Sequence, residues 1–87
     1  MEERPSAILL NLEEVSIMLQ TYTAVIKQEA DAWIGWIEEI PGVNCQEASR
    51  NELMETLRIT LAEAIELNRT EAKLAAGSQF EERPIAV

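Results

Sequence analysis

Residues 19–47 read L-Q-T-Y-T-A-V-I-K-Q-E-A-D-A-W-I-G-W-I-E-E-I-P-G-V-N-C-Q-E, and the fold turns on this run. Its first nine residues, 19–27, are rich in β-branched and aromatic side chains and free of Gly and Pro, which predicts a strand. Tyr22, Ala24 and Ile26 share one of its faces. Gln28, Glu29, Ala30 and Asp31 are polar enough for a hairpin loop, and a second strand is expected from Ala32 to about Glu39. In that strand a period of two puts Trp33, Gly35 and Ile37 on one face and Ile34, Trp36 and Glu38 on the other. Both faces are substantially apolar, so one should meet a helix layer and the other is open to a neighbouring chain or to the N-terminal segment. Gly35 marks a close backbone approach or a bulge. Pro41-Gly42 signals a turn, after which residues 43–47 make a short third strand.

Downstream, Ser49 and Glu52 form the S-x-x-E pattern of a capping box, so a helix should begin at Arg50. Leu53, Leu57, Leu61 and Ala64 recur at helical spacing, widened by Met54 and Ile65, and this stripe should cover the sheet. Ile59 projects on nearly the opposite side. The helix either continues through Asn68 to Ala76, where Gly77 suits a C-cap, or breaks near Asn68. In the tail, residues 77–87, Phe80, Ile85 and Val87 are apolar anchors around Pro84, and a short edge strand is the expected form if the tail is a strand at all. Upstream, Ile8, Leu12, Val15 and Leu19 have helical spacing with Pro5 placed for a first turn, predicting an N-terminal helix on the open face of the sheet. Alternatively residues 1–18 are a non-native extension, with Met18 the start, since Glu13-Glu14-Val15 can be encoded by a purine-rich ribosome-binding sequence.

Eighty-seven residues suit one domain with one core, small enough that self-association would supplement its stability. Seven basic against sixteen acidic residues give a net charge of −9 with no histidine. Such a surface repels nucleic acid and attracts a basic protein, although acidity also serves plain solubility. Cys45 is the single cysteine and so has no intrachain disulfide partner. Neither a signal peptide nor an apolar run of about 20 residues is visible, and the cytoplasm is the expected compartment.

Thr21 to Ile26 (T-Y-T-A-V-I), the hairpin into W-I-G-W-I-E-E-I-P-G-V from Trp33, and N-C-Q-E-A-S-R-N-E-L-M-E-T-L from Asn44 together resemble the HicB-like antitoxin family. Glu39, Pro41, Gly42 and Val43 match that family's turn, Ser49 and Glu52 its capped helix start, and Leu53, Leu57 and Ala64 its buried stripe. The resemblance covers about residues 19–68, with the tail as a candidate closing strand. It implies an α+β fold similar to a truncated ribonuclease H: a three-stranded antiparallel sheet, or four-stranded with the tail, covered by one long helix. It also implies neutralisation of a small basic mRNA-cleaving toxin of the HicA type. The nineteen residues after Asn68 leave no clear helix-turn-helix or ribbon-helix-helix segment, so direct DNA binding is not expected.

Catalysis is not expected either. A two-metal ribonuclease H site needs carboxylates on the first strand, which has none, and Glu38 and Glu39 are adjacent and point to opposite faces. Cys45 has no imidazole to activate it. No cofactor or metal is expected. The candidate partner-binding residues are Glu29, Asp31, Glu38, Glu39 and Glu47, read as one acidic rim around the hairpin and third strand. The candidate oligomer interface comprises Trp33, Ile34, Trp36, Ile37 and Ile59, with a homodimer as the simplest form. A solitary oligomerisation or regulatory domain with no toxin is the alternative function.

Overall fold

The computed structural model describes residues 21–87. The expected N-terminal helix over residues 1–18 and the first two residues of the expected first strand lie outside the described residues. The architecture is α+β: strands β1 (Ala24–Glu29), β2 (Ala32–Ile37) and β3 (Ile40–Glu47) form an antiparallel sheet in the order β1-β2-β3, followed by helix α1 (Arg50–Ala76).

The β1–β2 hairpin is tighter than the expected four-residue loop. Glu29 pairs with Ala32, so only Ala30 and Asp31 turn the chain, and Ala30 adopts φ 55. That left-handed backbone is ordinarily a glycine or asparagine position in a two-residue turn. β1 therefore runs two residues past Lys27 and begins later than expected, although the Glu38 N–H still donates to the Thr23 carbonyl at 2.9 Å.

The second turn is also displaced. Ile37 pairs with Ile40, so the chain reverses at Glu38–Glu39 rather than at Pro41-Gly42. Trp36 pairs with Asn44, leaving Pro41, Gly42 and Val43 in an irregularity of β3. Proline has no N–H to offer a ladder and Gly42 takes φ 94, so both residues suit a bulge, not a regular strand. Val43 turns inward from this bulge and is buried.

α1 starts where the sequence pattern placed it. Ser49 is extended (φ −134) and its Oγ accepts the Glu52 N–H at 3.1 Å, satisfying one of the unpaired donors of the first turn. The Glu52 carboxylate comes back to the Ser49 hydroxyl at 3.2 Å. There is no break at Asn68: the helix is continuous to Gly77, whose φ of 80 closes it while its N–H reaches the Leu74 and Lys73 carbonyls, both at 3.2 Å. Ile37, Val43, Leu53 and Leu57 form the buried core, ringed by half-buried Tyr22, Ile26, Trp33, Ile40 and Leu61. Full burial of Leu53 and Leu57 stabilises the fold by about 1.5–3 kcal/mol each. Gly35 lies beneath them, and a Cβ there would sit 3.0 Å from Ile26 Cγ2 and Leu57 Cδ1 and 3.1 Å from Leu53 Cδ2. The missing side chain is what lets α1 settle onto the central strand.

α1 packs over β2 and β3. Its 27 residues span about 40 Å, whereas β2 covers about 20 Å, so the half beyond Ala64 overhangs the sheet. The tail does not become an edge strand. It reverses through Gly77 and Gln79 (φ 63) and returns along the helix, where Phe80 lies beside Ala72 and Ala76 and Glu82 pairs with Lys73 at 3.6 Å. The overhang starts the tail about 18 Å beyond the sheet, which disfavours pairing.

Candidate partner-binding surface

The five acidic residues singled out from the sequence do not form one rim. Glu29, Asp31 and Glu47 meet at the β1–β2 turn end, lining a shallow depression with Ala30, Gln46 and Ala48. Glu38 and Glu39 occupy the opposite end of β2, about 20 Å away. Two of the five also have structural work. Both oxygens of Glu39 hold Thr23, one accepting its N–H and the other its hydroxyl, each at 2.8 Å, and these bonds hold the carboxyl below the ordinary glutamate value. Glu47 accepts the Thr56 hydroxyl at 2.7 Å and so pins β3 to the first half of α1. Glu29 pairs with Lys27 at 3.6 Å.

The apolar candidates separate as well. Ile37 is core and Trp33 packs against it, so neither is free for a second copy. Ile34 and Trp36 point to the opposite face, where their β1 partners Lys27 and Val25 and their β3 partners Gln46 and Asn44 surround them. Trp36 is 37% exposed there. Ile59 is 45% exposed on the outer side of α1.

Sequence reasoning missed a surface that combines acidity and apolarity. Thr56 bonds to Glu47, the Cys45 thiol lies 3.7 Å from the Thr60 hydroxyl, and Thr60, Glu63 and Leu67 line a cleft with Ile40, Pro41 and Gly42. The positions 56, 60, 63 and 67 therefore mark the flank of α1 that faces β3. One step outward from that row, at spacings of seven, come Glu52, Ile59 and Glu66. Lys73, seven residues beyond Glu66, is the one helix cation near this row, and it pairs with Glu82. Arg50, Met54, Arg58, Leu61 and Arg69 run along the other side, where Met54, Arg58 and Leu61 face Tyr22 and Ala24 of the β1 side. There Arg58 binds Glu55, whose carboxyl is lowered by that hydrogen bond and charge. The helical spacing of Glu52, Glu63 and Glu66 was available in the sequence; the bulge that carries Pro41-Gly42 to meet Leu67 was not.

Among the described residues no three Asp, Glu or Cys side chains gather as a metal site, and no helix is long and apolar enough to cross a membrane. Comparisons with family models, with curated proteins and with solved structures return no match, so function is argued from the residues of this chain.

Proposed function

We propose that this chain is a protein-binding module of the antitoxin kind, neutralising a small basic mRNA-cleaving toxin by covering its active or RNA-binding surface. The observation that carries the reading is the sorting of charge: in a chain of net charge −9, Arg50, Arg58 and Arg69 lie toward the β1 side of the helix, while Glu52 and Glu63 stand on the flank toward β3 with no cation three, four or seven residues away along the helix. The resemblance of residues 19–68 to HicB-like antitoxins points the same way. Carboxylates set against Lys and Arg side chains occupy the groups that would otherwise hold phosphate, so inhibition is competitive with RNA. The test is co-expression with the small basic reading frame expected beside the gene. Restored growth, and inhibition overcome by excess RNA in vitro, support the reading. A gene with no such neighbour, or a neighbour whose product fails to bind at low salt, refutes it.

The apolar outer face of the sheet favours a second reading, a self-associating module without a toxin. Val25, Ile34 and Trp36 lie together there and would be covered in a symmetric dimer. Sedimentation at tens of micromolar decides it: a strict monomer removes this reading.

A further inference from the structure

Among the described residues, the cleft between the Pro41-Gly42 bulge and the overhanging half of α1 is a place where exposed apolar side chains and carboxylates adjoin. Leu67, on its rim, is 56% exposed, and Leu74 follows seven residues later on the same side of the helix. Within one turn of Leu67 stand Glu63 and Glu71, and no Lys or Arg stands three, four or seven residues from Leu67 along the helix. The stripe of α1 that faces the sheet runs on here with only the Pro41-Gly42 bulge of β3 beside it.

We infer that this cleft docks an amphipathic helix of a partner protein, one whose apolar stripe is bordered by Lys or Arg. The inference rests on the protein-binding reading above and assigns it a surface. Leu67 and Leu74 are spaced two turns apart, as anchors for a helix laid along α1 are, and the Pro41-Gly42 bulge forms the far wall. Charge selects the occupant. A second copy would set Glu63, Glu66 and Glu71 against their own counterparts, whereas basic flanking residues meet them with opposite charge. The tail of the chain itself is held on another side of α1 by Phe80 and the Lys73–Glu82 pair.

The experiment titrates the full-length, nitrogen-15-labelled chain with a synthetic amphipathic helix of leucine and lysine, and with its leucine–glutamate counterpart. Binding of the lysine peptide alone is expected, weakening with salt, with amide shifts centred on Gly42, Glu63, Ala64, Leu67 and Asn68. Leu67→Asp should weaken it by about tenfold or more while leaving the circular dichroism unchanged, because Leu67 lies outside the core. Failure of the lysine peptide to bind at low salt, equal binding of both peptides, an unaffected Leu67→Asp variant, or shifts centred on Val25, Ile34 and Trp36 would each overturn the assignment. Toxin neutralisation that survives Leu67→Asp would leave the antitoxin reading standing and remove only the cleft.

Discussion

Replacing Gly35 with alanine tests the packing that positions everything else. The added methyl would lie 3.0 Å from Ile26 Cγ2, 3.0 Å from Leu57 Cδ1 and 3.1 Å from Leu53 Cδ2. Carbon atoms pack best at about 3.5–4.0 Å, so three neighbours must each give roughly half an ångström. Leu53 and Leu57 are 0% and 2% exposed and held by the core around them, whereas Ile26, on the edge strand, yields more easily. Overpacking of this kind costs about 1–3 kcal/mol, and alanine returns about 0.5–1 kcal/mol by restricting the unfolded chain. The net loss is up to about 2.5 kcal/mol, which in a domain of this size lowers Tm by up to about 10–20 °C. The assay is thermal unfolding followed by circular dichroism at one fixed protein concentration. An unchanged or raised Tm would show that the contact of α1 with β2 is looser than argued, and that Gly35 is not what sets the helix height.

Three further outcomes are expected. Ala30→Gly relieves the left-handed backbone at φ 55 and should raise stability by up to about 1 kcal/mol, read as a higher denaturation midpoint with unchanged slope. Thr56→Val removes the 2.7 Å bond to Glu47 and should cost about 1 kcal/mol, the half-exposed setting tempering the usual value for a charged acceptor. The Glu39–Thr23 latch should open in acid. The folded-state carboxyl lies below the ordinary 4.5, so the latch contributes fully above that value and is lost as pH falls through the lowered one. The Thr23 amide resonance should move in that acid window in the parent chain, and a Glu39→Gln variant that moved identically would remove Glu39 as the cause.

Periodicity was enough to place the elements and the inward faces. Leu53 and Leu57 recur at helical spacing and Gly35 and Ile37 alternate with Ile34 and Trp36, and all of them point where those periods put them. Turn positions were less legible. Pro41-Gly42 is a strong turn signal, yet the reversal falls on Glu38–Glu39 because Ile37 and Ile40 pair across it, leaving Pro-Gly to form a bulge. Nor did the sequence reveal the fate of its carboxylates. Glu39 and Glu47 looked available to a partner, but each is held by a threonine from a segment distant in sequence, Thr23 and Thr56. Side-chain bonds between distant segments leave no local pattern, and the acidic rim itself divides because the length of β2 separates Glu29, Asp31 and Glu47 from Glu38 and Glu39.

The length of α1 makes a case of its own about function. The core under the sheet uses the helix from Leu53 to Ala64; beyond it Leu67 and Asn68 still edge the Pro41-Gly42 bulge, and the rest is extension outside the core. A helical overhang gains no core burial, and isolated helices of this length are marginal in water, so propensity and capping must hold it. Both are present: the overhang carries Glu66, Arg69, Glu71 and Lys73 among alanines, ends on a Gly77 cap, and is clasped by the Lys73–Glu82 pair. Leu67 and Leu74 lie outside the core, being 56% and 76% exposed, and contribute far less burial than Leu53 or Leu57. Their place on the sheet-facing side, bordered by carboxylates and with the tail held elsewhere, makes sense once a basic partner's apolar side chains take the position the sheet has vacated. If so, the overhang should be the part of α1 whose amide hydrogens gain most protection when the partner binds, because it begins with the least tertiary support.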